Sequence, residues 1–133
     1  MMLSQTAEYA LRTVLHIART GSDGPANADA MATSLGIPRN YLSKVLHRLA
    51  QAGVLTSTRG RNGGFVLARD PGKISLAAVV GLFDRIEPRR QCLLGQAVCS
   101  DTRPCAAHAR WIAVNEQSAK FLNETTISQL LKK

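Results

Sequence analysis

Apolar residues recur at steps of three and four from the start of the chain. Leu3, Ala7, Ala10, Leu11, Val14, Ile17 and Ala18 share one face, which predicts a helix over 3–20. Ser4 suits its N-cap, and Glu8 lies near its positive end. Gly21, Ser22, Asp23, Gly24 and Pro25 then break the pattern. Asn27 can cap a short second helix over 28–35, buried through Ala28, Met31, Ala32 and Leu35. Gly36 follows where a left-handed residue ends a helix. Pro38 is tolerated in a first helical turn. From there Leu42, Val45, Leu46 and Leu49 draw an apolar stripe over 38–52, ending before Gly53. The opposite face carries Arg39, Asn40, Ser43, Lys44, His47 and Gln51.

The period then changes. Residues 54–58 are short and β-branched, 65–67 read as a second strand, and Arg59, Gly60, Arg61, Asn62, Gly63 and Gly64 lie between them. That is a hairpin signature. Asp70, Pro71 and Gly72 close the unit, and Ser75 can cap a helix over 76–83 that turns Leu76, Val79, Val80 and Phe83 inward. Pro88 stops it, and residues 88–104 read as a loop. Helical spacing resumes over 105–120, with Trp111, Ile112, Asn115 and Ala119 in register. A last short helix starts at Thr125 or Thr126 and uses Ile127, Leu130 and Leu131. The pattern predicts a mainly α protein with a small β-hairpin. Its units are a winged helix-turn-helix over 1–74 and a helical remainder over 75–133.

Charge sharpens this. Of 133 residues, 17 are Lys or Arg and 9 are Asp or Glu, a net +8. The excess is concentrated: residues 30–69 hold Arg39, Lys44, Arg48, Arg59, Arg61 and Arg69 and no acid. A solvated surface explains any one of these charges, but the block as a whole is the footprint of a polyanion partner. A membrane surface would require a large apolar face that this window lacks. No stretch of eighteen uncharged apolar residues exists, so no spanning helix is expected. The N-terminal residues, with Glu8, Arg12 and His16, do not read as an export signal, which predicts a cytoplasmic protein.

A helix fits the major groove of DNA and reads base edges with its N-terminal residues. Arg39, Asn40 and Ser43 are the candidates for that contact, and Lys44 and Arg48 for phosphates. Arg59 and Arg61 sit on a glycine-rich tip that can approach a duplex closely and enter a narrow minor groove. His47 reads as a groove-side or surface histidine. No nucleotide-binding loop, Gly-flanked serine nucleophile or paired-carboxylate motif is present, and a Cys105/His108 pair lacks an orienting third residue. Catalysis is not expected.

Cys92, Cys99 and Cys105 are the only cysteines. An odd count without a secretory signal reads as reduced thiols, ligands or sensors and not as a disulfide frame. Their wide spacing suits an iron–sulfur cluster better than zinc, whose ligands pair closely. Three thiolates leave one ligand to find, and His108 is the local candidate, Glu8 a distant one. Burial as small hydrophobes fits poorly with a segment rich in Gly, Ser, Asp, Thr and Pro. A thiol–disulfide switch is the other reading.

The chain resembles the winged-helix regulators that include IscR, NsrR and RirA. The resemblance rests on Glu8, Tyr9, Ala10, Leu11 and Arg12, and on Gly36, Ile37 and Pro38 leading to Tyr41 and Leu42. It continues through Ala52, Gly53, Val54 and Leu55, then the Arg59–Phe65 wing, then the three cysteines. It implies a homodimer in which a long C-terminal dimerisation helix around Trp111 crosses its mate, and two recognition helices address a two-fold operator on double-stranded DNA. It implies repression governed by an iron–sulfur cluster that senses redox state, iron or nitric oxide. Members without the cysteines respond through thiols or protein partners, which is the metal-free alternative. In two-iron relatives the fourth ligand is a His three residues after the last Cys, matching His108. In four-iron relatives it is an acid of the partner subunit, at the place of Glu8. Both are present here, with His108 and a 2Fe–2S cluster favoured over a 4Fe–4S one. The six residues between Cys92 and Cys99 differ from the five common in the cluster-assembly regulator.

Overall fold

The computed structural model describes residues 3–84 and 107–131. Their elements, in chain order, are α1 (Gln5–Arg19), α2 (Ala28–Leu35), α3 (Arg39–Gln51), β1 (Leu55–Thr58), β2 (Gly64–Leu67), α4 (Leu76–Val80), α5 (His108–Glu124) and α6 (Ile127–Leu131). The fold is thus mostly helical with one antiparallel hairpin, as the periodicity predicts. None of the described helices is long and apolar enough to cross a membrane.

Local chemistry sets the helix ends. Ser4, Asn27 and Ser75 all adopt extended backbone, and their side-chain oxygens accept from the amides of Ala7, Ala30 and Ala78. Such a cap is worth about 1 kcal/mol. Gly36 ends α2 with φ +67°, the left-handed conformation expected of it.

α1 is the hub. Its Ala7, Ala10, Val14 and Ile17 are buried, and it packs against α2, α3, α4, α6 and β2. The α3 stripe of Leu42, Val45, Leu46 and Leu49 is buried against it, as is Met31 from α2. Ile74, Leu76, Val79, Val80, Leu122 and Ile127 extend the same cluster, so one core draws on residues from both sides of position 74.

Two backbone stitches complete the body. β1 and β2 pair antiparallel, with Leu55 opposite Leu67 and Thr58 opposite Gly64. Ala26 adds a single-residue bridge to β2: its amide donates to the Phe65 carbonyl and its carbonyl accepts from the Phe65 amide, both at 2.9 Å. A Cβ on Gly64 would lie 2.3 Å from the Ala26 carbonyl oxygen, so this close approach requires glycine. The second stitch joins the chain's far end to the start of α4. Leu76 N–H donates to the Thr125 carbonyl (2.8 Å) and Ile127 N–H to the Ile74 carbonyl (2.9 Å).

Two helices differ from their predicted extents. α4 stops at Val80, not at residue 83, because the chain tightens at Gly81. There the amides of Leu82 and Phe83 reach carbonyls only three residues back. α5 runs past residue 120 to Glu124, since Leu122 continues the buried face of Ile112, Asn115 and Ala119. It ends where Thr125 turns extended to form the second stitch. The expected start at residue 105 and the loop over 88–104 lie outside the described residues.

Candidate nucleic-acid interface

α3 buries its apolar stripe and leaves two polar ones in solvent. Asn40, Lys44 and Arg48 are spaced four residues apart on one, and Arg39, Ser43 and His47 on the next; all six are exposed. Lys44 and Arg48 are like charges one turn apart, an arrangement that weakens an isolated helix. A polyanion laid along that stripe would relieve the repulsion.

α1 positions this helix from behind. The Tyr9 and Tyr41 rings meet edge to face, with centroids 6.2 Å apart and an interplanar angle of 78°. Arg12 donates to the Leu35 carbonyl at the negative end of α2, and its guanidinium lies 6.0 Å from the Tyr9 ring centre. The Glu8-to-Arg12 segment therefore ties α1 to both helices of the helix-turn-helix. Glu8 itself is exposed and sits 4.0 Å from Arg12.

The hairpin forms the wing. Arg59 and Arg61 are exposed between β1 and β2, where Gly63 N–H donates to the Gly60 carbonyl at 3.0 Å. Arg39, Ser43 and His47 share the wall of a cavity of about 190 Å³ with Ser57 and Phe65 of the hairpin, so helix and wing flank one groove. Among the described residues, the ion pairs are Arg12 with Glu8 and Arg39 with Asp29. Lys44, Arg48, Arg59 and Arg61 thus face solvent with no carboxylate against them in the described part of the chain.

The Asp29 contact was not legible in the charge pattern. Residues 30–69 carry no acid, but α2 delivers Asp29 from just outside that window to the Arg39 guanidinium. Arg39 also donates to the Ser43 hydroxyl one turn on. A residue at the start of one helix and another at the start of the next meet only because α2 and α3 pack across their turn.

A second exposed surface lies on α5. Val114 is 50% exposed and Phe121 55%, and Leu3, which shares a cavity wall with Phe121, is 37% exposed. Leu3, Gln117, Ser118, Phe121 and Leu122 line an open cavity of about 350 Å³. The sequence signal for this face was available: α5 is apolar on two sides, and only one of them fits the core.

The candidate metal ligands are divided. Cys92, Cys99 and Cys105 lie outside the described residues, α5 begins at His108, and Glu8 stands in the first turn of α1. Among the described residues, no three His, Cys, Asp or Glu side chains converge on a point that could hold a metal ion.

Known proteins share this arrangement. The Rrf2 family model, described as an iron-dependent transcriptional regulator, matches residues 3–133. A candidate HTH-type transcriptional regulator of Aquifex aeolicus is 35% identical over 98% of this chain and 92% of its own. The HTH-type transcriptional regulator IscR of Xenorhabdus nematophila is 30% identical over 99% of this chain and 80% of its own. In fold, the chain is similar to CymR, the global cysteine regulator of B. subtilis. The TM-score is 0.83 at 24% identity, over 98% of this chain and 95% of that one. The chain belongs to the Rrf2 family, whose members are transcriptional regulators and not enzymes.

Proposed function

We propose that this protein is a homodimeric, cytoplasmic DNA-binding repressor whose affinity for a two-fold operator is governed by an iron–sulfur cluster. The observation that carries the DNA reading is the α3–wing face: Arg39, Ser43 and His47 flank one groove with the hairpin, and Lys44, Arg48, Arg59 and Arg61 are exposed on α3 and the hairpin. α3 enters the major groove, where Arg39, Asn40 and Ser43 face base edges and Lys44 and Arg48 face phosphates. Arg59 and Arg61 reach the adjacent minor groove. A second copy covers the apolar outer face of α5, through Val114 and Phe121, and so presents two α3 helices to one duplex.

The cluster reading rests on donor chemistry. Three soft thiolates suit iron–sulfur ligation, and either an imidazole or a carboxylate can complete the set. Cys92, Cys99 and Cys105 hold the cluster, with His108 favoured over Glu8 as fourth ligand and a 2Fe–2S form favoured. When bound, the cluster supplies a centre whose gain, loss or oxidation state carries the redox, iron or nitric-oxide signal. The chain's own residues then couple that signal to DNA. Cys92 follows α4 and Cys105 precedes α5, so ligation joins the ends of two helices that pack on each other. Glu8, if it is the fourth ligand, extends the tie to α1, whose Tyr9 and Arg12 position the helix-turn-helix.

Anaerobic purification followed by iron, sulfide and spectroscopic analysis tests the cofactor. Holo protein, apo protein and Cys99→Ala, compared on one duplex, test the switch. We expect brown holo protein, holo and apo affinities that differ by about tenfold or more, and Cys99→Ala behaving as apo. Of His108→Ala and Glu8→Ala, only the substitution of the true ligand should lose iron. Colourless protein whose affinity changes on thiol oxidation would replace the cluster reading with the metal-free one. Equal affinities in all three states would remove the cysteines from control of DNA binding.

A further inference from the structure

One acid of α2, Asp29, reaches the first residue of α3. Asp29 accepts a hydrogen bond from Arg39 Nε, and Arg39 Nη1 donates to Ser43 Oγ. Both partners are surface groups: the side chains of Asp29 and Arg39 are 80% and 48% exposed. Exposed ion pairs contribute little to stability, so the contact has no evident structural purpose. It lies, however, at the first residue of the helix that faces DNA.

A guanidinium has five N–H donors in a planar fork. Asp29 and Ser43 use two, one on Nε and one on Nη1. Both donors of Nη2 and one of Nη1 stay available. The two contacts also fix a long side chain that would otherwise sample many rotamers, which lowers the ordering entropy paid at binding. The carboxylate has a second effect. It neutralises Arg39 locally and repels a phosphate, while leaving hydrogen bonding to a neutral acceptor intact. Guanine presents two such acceptors, N7 and O6, in the major groove.

Resting on the DNA-binding reading above, we infer that Asp29 is a specificity-determining positioning residue. It orients Arg39 toward a guanine edge and bars it from service as a phosphate anchor. Asp29 touches no base itself. Ser43, beside the same base edges, serves as the second clamp on the guanidinium.

The test selects bound sequences from a random duplex pool with anaerobically purified wild type, then measures affinities for the selected site, single-base variants and a scrambled duplex. Arg39→Ala should erase preference for guanine at one position per half-site, a loss of discrimination of about tenfold or more. Asp29→Ala should weaken discrimination at that same position at least threefold and raise affinity for the scrambled duplex. Asp29→Asn removes the charge but keeps an acceptor. It should likewise raise scrambled-duplex affinity while retaining more of the guanine preference than Asp29→Ala. Unchanged discrimination in Asp29→Ala, with thermal unfolding matching wild type, overturns the inference and leaves DNA binding intact. So does a loss spread evenly over every position of the site. If wild type selects no sequence at all, the DNA-binding reading fails and the inference falls with it.

Discussion

The α3–wing face and the outer face of α5 are both exposed, and their chemistry is opposite. The first is a run of bases and hydroxyls with, among the described residues, one acid paired to it, Asp29. The second presents Val114, Phe121 and Leu3. Attraction between a charged face and a polyanion is long-ranged and weakens with added salt. Contact between apolar faces is short-ranged and indifferent to salt at these concentrations. The two faces should therefore respond differently to added salt.

The comparison breaks most visibly in a salt titration. If a dimer engages about six phosphates, raising salt from about 50 to 200 mM should lower DNA affinity on the order of a thousandfold. Sedimentation over the same range should report an unchanged dimer. A DNA affinity insensitive to salt would refute the electrostatic half, and a dimer that dissociates with it would refute the apolar half. Next in size is the core that supports both faces. Ile127 is fully buried beside the second backbone stitch. Ile127→Ala should cost about 2–5 kcal/mol in chemical denaturation, with a single transition by far-ultraviolet dichroism and Trp111 fluorescence. Two separate transitions would mean that α5 and the winged-helix part unfold independently. A more selective break is Phe121→Asp. It should weaken the dimer at least tenfold by sedimentation, as expected for losing about 2 kcal/mol of buried aromatic surface, and leave the melting of the monomer body nearly unchanged. The smallest effect is Asn27→Ala, which removes the α2 cap and should cost about 1 kcal/mol. It should leave dimerisation untouched, since α2 packs on α1 and α3.

What could be read from the sequence was local. The α1 and α3 stripes, the caps at Ser4, Asn27 and Ser75, and the left-handed Gly36 each depend on residues within a turn of one another. Their physics is complete in a short window. The features that escaped are those made by packing. Ala26 pairs with Phe65 across the whole of α2 and α3, and nothing near Gly24 or Pro25 marks it as a bridge. Asp29 lies outside an acid-free window in sequence but against Arg39 in space. The sequence predicts an end to α5 at residue 120, because its next apolar residues, Phe121 and Leu122, are adjacent and do not share one stripe: one is exposed and one buried. The charged groove was legible in outline, as a cluster of bases on α3 and the hairpin. Which of those bases is held by an acid was not. The cysteine ligands remain a reading of sequence alone.

The stitch between Leu76 and Thr125, together with the packing of α4 on α5, has a consequence for how the intervening chain can vary. The two described elements that flank it, α4 and α5, belong to one body, so its length enters stability through a closure entropy. The entropy of such a closure grows only logarithmically, about 0.6 kcal/mol for each doubling of length. By that closure term alone, one residue more between α4 and α5 changes stability by far less than the loss of a single helix cap. The described body therefore sets little limit on the length of chain between α4 and α5.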